Sequence, residues 1–196
     1  MKKLAVVLVL VLVPAVQAAP FKKVLGESFP EIKAKDLVSD KEIDLAAELK
    51  KDAYMGAVVT FTCYTCPVVM AYEERMNKIV EEYGHKVLFL NLNANATETA
   101  DAMKERIKDQ KLKGRFAMDA GSKAAAAIGA GVTPEVYVLD KAGKIVFHGP
   151  VDDSQDPQHI ETHLLSDALK ALVSGGTIQE KNREVQAFGC GIKFPK

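Results

Sequence analysis

The sequence contains no tryptophan, and aromatic residues make up only 7% of its 196 positions. A surface that binds bases or sugars by stacking therefore has little to be built from. Neither sign of charge is in excess, with 26 Lys and Arg against 26 Asp and Glu. Polyanion binders draw most of their affinity from surplus cations, so no nucleic-acid partner is expected. Three cysteines are too few for a disulfide framework, and their odd number leaves one thiol over. A single CxxC excludes a four-thiolate zinc site. No glycine-rich phosphate loop is present. The longest apolar run, Leu4–Val13, is well short of the roughly 20 residues that span a bilayer.

That short run belongs to an amino end with the features of a signal peptide, residues 1–18. Lys2 and Lys3 form a positive start, Pro14 interrupts the apolar segment, and Val16-Gln17-Ala18 places small residues where a signal peptidase reads. A buried amino-terminal strand is the alternative. Cleavage after Ala18 leaves a net charge near −2 and keeps every cysteine. The expected destination is across the inner membrane, in the periplasm of a double-membrane bacterium, where disulfides are permitted. No membrane insertion is expected after the signal is removed.

The remainder reads as one domain, residues 19–176, followed by a tail, 177–196. After an extended lead-in, residues 34–51 suggest a turn and a short helix. Ala57–Thr62 is a β-branched apolar run of strand length, with no polar alternation. Apolar residues from Val69 to Tyr83 then recur at helical spacing, and Gly84 stops them. Lys86–Leu92 reads as a strand, Thr97–Gln110 as a helix, Arg115–Met118 as a short strand and Gly121–Ile128 as an alanine-rich helix. Glu135–Leu139, a turn at Asp140–Gly143 and Lys144–His148 form a hairpin, and a last helix is expected from Pro157 to Val173. The alternation implies an α/β fold, a central sheet flanked by helices.

The residues with the most chemistry are Cys63-Tyr64-Thr65-Cys66-Pro67. Proline is favoured at the first position of a helix, which puts Cys66 at the helix start. There a thiolate meets unpaired backbone N–H groups and the positive end of the helix dipole, and its pKa falls. Cys63 is close enough to pair with Cys66 if the junction turns tightly, and a redox-active disulfide needs no other cofactor. Two other readings stay open: a structural disulfide or buried thiols, and a soft copper site of Cys63, Cys66 and Met70. His159 and His163, four apart on the expected last helix, have Glu161 at the wrong position for a zinc protease and read as surface residues. Asp152, Asp153 and Asp156 form an acidic loop without calcium-site spacing. Asn93 and Asn95, just after a strand, read as turn residues or as a border of the cleft.

The chain resembles the peroxiredoxin-like branch of the thioredoxin superfamily, the alkyl hydroperoxide reductase, thiol-specific antioxidant and redoxin group. The resemblance runs from Phe29-Pro30 through Val59–Arg75 (VTFTCYTCPVVMAYEER) and Val132–Asp140 (VTPEVYVLD) to His148–Asp153 and Ala187–Lys193 (AFGCGIK). It implies a thioredoxin-like fold with a central mixed β-sheet in a single domain. It also implies a cis peptide before Pro134, with Thr133 lining the site where its backbone can pair with a bound thiol partner. Pro67, Thr65 and Arg75 are then supporting residues. Two departures bear on the chemistry. Val69 stands at the usual resolving position of thioredoxins. Cys63 and Val59 replace the Thr or Ser and the Pro that typical peroxiredoxins carry three and seven residues before their reactive cysteine.

Cys190 lies between glycines in the tail. It could resolve an intermediate on Cys66 or Cys63, pair between chains, or pin the tail to the body. Phe188, Ile192 and Phe194 favour docking of the tail. The resulting expectation is an exported thiol–disulfide oxidoreductase with a thiol or disulfide protein partner, or a small peroxide as substrate; the alternatives are the copper-binding thiol module and a non-catalytic redoxin domain serving as an interaction protein. An external thiol donor would restore it, and the oligomeric state is open.

Overall fold

A computed structural model describes residues 22–196; the expected signal peptide lies outside them. Five strands form the central sheet: β3 (Gly56–Thr62), β4 (Val87–Asn93), β5 (Arg115–Met118), β7 (Glu135–Asp140) and β8 (Ile145–Gly149). Their order is β5-β4-β3-β7-β8. The pairs β3/β4 and β4/β5 are parallel, while β3/β7 and β7/β8 are antiparallel. Parallel neighbours need a crossover, supplied by helices α2 (Pro67–Tyr83) and α3 (Ala100–Asp109). The antiparallel hairpin needs only a tight turn, with Gly143 at φ 76° and the Asp140 carboxylate accepting from Ala142 N and Lys144 N.

Every residue of β3 is buried, and its side chains divide between two cores by the two-residue period of a strand. Val59 and Phe61 join Leu88, Leu90, Tyr137 and Leu139 on one face, under α1 (Leu45–Leu49) and α4 (Lys123–Ile128). Val58 joins Phe89, Val138 and Phe147 on the other, under α2 and α5 (Leu164–Ser174). This double burial explains the unbroken apolar run of the strand. The expected mixed sheet between helical layers is therefore the observed one.

Several local expectations need correction. The turn in residues 34–51 is a hairpin of two short strands, β1 (Lys33–Lys35) and β2 (Glu42–Asp44), ahead of α1. Three-residue strands are too short to show a period, so the sequence hid them. The helix expected from Pro157 begins only at Leu164. Pro157–His159 is a single 3-10 turn capped by Asp156, and the Asp153 carboxylate accepts from Glu161 N at 3.0 Å. His163 is the N-cap of α5 and His159 is exposed, so the two histidines share no helical face. The alanine-rich helix starts at Lys123, because Gly121 and Ser122 adopt positive φ and Asp119 caps Ala124 N and Ala125 N.

The tail is integrated into the fold. It forms α6 (Glu180–Arg183) and β9 (Cys190–Gly191), which pairs antiparallel with β6 (Val132–Thr133). Glu184 accepts hydrogen bonds from Val24 N and Leu25 N, and Val185 N donates to the His148 carbonyl. Ile192 is buried in the first core. Among the described residues no helix is long and apolar enough to cross a membrane.

Candidate functional site

Strand β3 ends at Thr62 and α2 begins at Pro67, so the loop between them carries both cysteines of the CxxC to the carboxyl edge of the sheet. Cys66 is the N-cap of α2 with Pro67 at its first position. Its backbone is extended at φ −83° and ψ 120°. Opposite stands Thr133, and the peptide bond from Thr133 to Pro134 is cis. Pairing of β6 with β9 sets Cys190 against Thr133 in register. The two cysteines of the loop and the distant Cys190 thus meet around one threonine.

All three are free thiols. Cys63 and Cys66 are each only 1% exposed, and with Val69 they form a small cluster against which Cys190 packs. The Cys63 sulfur lies 3.1 Å from the Thr133 hydroxyl. As a thiol, Cys66 donates to the Thr133 carbonyl at 3.3 Å. As a thiolate it becomes an acceptor. Burial works against that charge, but the Cys190 thiol, the backbone N–H groups of Val69 and Cys190, and the Thr133 hydroxyl donate to it, and its pKa falls below that of a free cysteine.

The other two thiols move the opposite way. Cys190 is pushed up to about 11, because its proton is held in the bond to Cys66; burial and the charges at Cys66 and Cys63 add to this. Burial raises Cys63, and the nearby Glu98 and Cys66 charges oppose its ionisation further. The pKa shifts therefore set Cys66 apart from Cys63 and Cys190. Thiol–disulfide exchange needs an attacking thiolate and a second thiol within reach, and this arrangement is capable of supplying both.

Glu98 was not anticipated from the sequence. Its buried carboxylate accepts from Tyr64 N (2.9 Å), Thr65 N (3.2 Å) and the Thr65 hydroxyl (2.5 Å), so it holds the loop between the cysteines. Asn93 and Asn95 also donate to it, at 2.7 and 3.2 Å. Burial resists this charge, yet the donors from Thr65, Tyr64, Asn93 and Asn95 bring the carboxyl below its ordinary range. The side-chain amide oxygen of Asn95 in turn accepts from Lys193 N at 2.8 Å, which ties the CxxC loop to the tail. Nothing in the string Asn95-Ala96-Thr97-Glu98 signals this, since the partners lie more than thirty residues away for the loop and nearly a hundred for the tail.

A second buried carboxylate supports the opposite wall. Glu135 follows Pro134 and accepts from Gly131 N, Val132 N, the Tyr137 hydroxyl and the His148 ring. The Tyr137 and His148 rings stack at 4.5 Å. Glu135 thereby clamps β6 in the position that receives the tail.

The remaining expected residues are more distant. Thr65 acts through Glu98. Arg75 lies nine positions beyond Cys66 on α2, roughly 13 Å at 1.5 Å per residue. It pairs with the buried Asp152 at 2.5 Å, donates to the Ser154 and Gln155 carbonyls, and stacks on Tyr72. Met70 is 38% exposed while the cysteines are buried. Among the described residues no group of three or more His, Cys, Asp or Glu side chains could hold a metal ion.

A CxxC loop at a helix start, a facing cis-proline and a mixed sheet between helical layers define a thioredoxin-like protein. Residues 24–164 match the Redoxin family, and the chain belongs to that family. It is 31% identical over 126 residues to the thiol-disulfide oxidoreductase ResA of a Bacillus cereus strain, across 64% of this chain and 69% of that protein. Its fold superposes on an uncharacterized conserved protein from Geobacillus kaustophilus with a TM-score of 0.79 and 26% identity, covering 93% and 97% of the two chains. A secreted Mycobacterium tuberculosis disulfide oxidoreductase homologous to E. coli DsbE shares the fold with a TM-score of 0.55 and 19% identity, over 72% of this chain and 96% of that one. The family and its relatives make this protein an enzyme of the oxidoreductase class.

Proposed function

We propose that the protein is an exported thiol–disulfide oxidoreductase in which Cys66 attacks and Cys190 closes the cycle. The observation that carries this reading is the packing of Cys190 against the buried cluster of Cys63, Cys66 and Val69, in register with the Thr133 whose carbonyl accepts from the Cys66 sulfur; the lowered pKa of Cys66 and the raised pKa of Cys190 support the same division of roles. In the reductive direction the Cys66 thiolate attacks one sulfur of a substrate disulfide. A mixed disulfide forms and the other substrate sulfur leaves as a thiolate. Cys190 then gives up its proton and attacks Cys66, which releases the second substrate thiol and leaves a Cys66–Cys190 disulfide. Two electrons have passed to the substrate, and an external thiol donor restores the pair. No cofactor beyond the cysteines takes part.

Small hydroperoxides are a second class of substrate for the same thiolate. Val59 and Cys63 replace the residues that typical peroxiredoxins use, and this places disulfides first. The partner is a protein thiol or disulfide, and the signal-like residues 1–18 support a periplasmic location.

The test is mass mapping of the oxidised protein, with Cys63→Ser, Cys66→Ser and Cys190→Ser assayed beside the parent. The expected results are a Cys66–Cys190 bond and loss of turnover in Cys66→Ser. Full reductase activity in Cys66→Ser would overturn the mechanism, and a Cys63–Cys66 bond as the sole product would transfer the resolving role to Cys63.

A further inference from the structure

The tail does more than deliver a thiol. Strand β9 pairs with only two residues, Val132 and Thr133, and these immediately precede the cis bond beside Cys66. Its register places a cysteine opposite Thr133, whose carbonyl contacts the Cys66 sulfur. The reactive cysteine of a bound disulfide partner has to reach that same position. With the tail seated, Cys66 is 1% exposed, so a macromolecular disulfide has no path to it.

The approach of the tail also carries a sequence requirement. A Cβ added at Gly189 would fall inside contact distance of the Thr133 carbonyl oxygen and 2.7 Å from its carbon, against rigid backbone. At Gly191 the nearest atom, the Gly131 carbonyl oxygen, would be 4.0 Å away. The residue before the cysteine must therefore be glycine, while the residue after it is unconstrained in space. The tail is held on both sides by Val185 N to the His148 carbonyl, Ile192 N to the Gly131 carbonyl and Lys193 N to Asn95.

We propose that Gly189–Gly191 is a tethered substrate strand: it occupies the Val132–Thr133 edge that an extended segment of a partner protein takes after displacing it, and the partner segment carries glycine immediately before its reacting cysteine. The inference rests on the oxidoreductase reading above and names the substrate class of that same site. Recognition is by strand addition, in which backbone bonds supply affinity and the space beside one residue supplies selectivity. In the displaced form the Cys66 thiolate attacks one sulfur of the partner disulfide, the partner's S–S bond breaks and its other sulfur leaves as a thiolate that takes up the Cys190 proton, and the returning tail brings Cys190 to the mixed disulfide. The Cys190 sulfur bonds to Cys66, and the partner leaves as a thiol.

Single-turnover reduction by the reduced protein tests this with two ten-residue peptides. Each is a symmetric dimer through one cysteine, with Gly-Cys-Gly or Ala-Cys-Gly at its centre, and hydroxyethyl disulfide serves as the small comparator. Each dimer consumes the thiols of Cys66 and Cys190 and yields two peptide thiols. The Gly-Cys dimer is expected to react at least tenfold faster than the Ala-Cys dimer. In Gly189→Ala, whose added methyl unseats the strand, amide exchange at Cys190 and Gly191 is expected to accelerate. The ratio of the Gly-Cys peptide rate to the hydroxyethyl disulfide rate is expected to rise at least tenfold. Equal rates for the two peptides would overturn the proposal. So would a ratio unchanged within twofold in a variant whose tail amides exchange freely, or tail amides in Gly189→Ala as protected as in the parent. If the parent reduces neither the peptides nor hydroxyethyl disulfide, the oxidoreductase reading itself fails.

Discussion

Replacing Cys190 by alanine removes the one side-chain thiol that donates to the Cys66 thiolate. A hydrogen bond to a charged group contributes about 1.5–3 kcal/mol, and a thiol is a weak donor, so the low end applies. About 1.5 kcal/mol corresponds to roughly a tenfold change in an ionisation equilibrium. The space left by the sulfur admits water, which donates in its place and reduces the effect, so the thiolate fraction at neutral pH is expected to fall about three- to tenfold. Cys190→Ser keeps an O–H donor and should fall less than the alanine variant. The assay is the pH dependence of iodoacetamide alkylation at Cys66, followed by peptide mass and compared at fixed reagent concentration. Alkylation of the parent should already proceed below the pH at which an ordinary cysteine ionises, and the Cys190→Ala curve should lie to higher pH. If the parent and alanine curves coincide, the assignment of Cys190 as proton donor is refuted.

Glu98→Gln replaces an acceptor of five donors with a group that is half donor, and a loss of about 1–3 kcal/mol in urea unfolding is expected at neutral pH. Because the folded chain lowers the Glu98 pKa, the stability it contributes is fully present above the unfolded value of about 4.3 and is lost as pH falls through the folded value. The gap between parent and variant should therefore narrow on acidification; a gap that holds constant to pH 2 would contradict this. Arg75→Met leaves the buried Asp152 carboxylate unpaired, and about 3–5 kcal/mol of destabilisation is expected, with faster proteolysis across residues 150–156. Leu169→Ala, at a fully buried position between α5 and the sheet, should cost about 2–5 kcal/mol by thermal unfolding without altering Cys66 alkylation at temperatures where the variant is folded.

The sequence and the structure agree most closely where the signal is local and long. Val58, Val59 and Phe61 read as a two-sided strand because only threonine, itself β-branched, interrupts the apolar run, and the helix from Pro67 to Tyr83 announces itself by proline at one end and glycine at the other. Agreement fails where a few residues depend on distant partners. Lys33–Lys35 and Glu42–Asp44 show no period at three residues each, and their pairing holds them as a hairpin. Ile160 and Thr162 sit in a stretch of helical composition, yet backbone bonds to Asp153 and Asp156 keep the chain from turning until Leu164.

The site divides along the same line. The placement of Cys66 at a helix start was readable from Pro67 alone, because a proline at the first helical position is a local constraint. The presence of a Gly-flanked thiol in the tail was equally plain, and so was its alternative fate as a resolving group, an interchain bond or a pin. No local rule could choose among them, since the choice depends on which strand edge the tail finds 57 residues back along the chain. Tertiary structure decided that Cys190 lies against Thr133 and packs on Cys66, that burial and the nearby Glu98 raise the Cys63 pKa, and that Glu98 binds the loop, the asparagines and thereby the tail. The physical reason is that hydrogen bonds and fields in a buried site depend on distance in space, and residues 63, 66, 98, 133 and 190 become neighbours only when the sheet has formed.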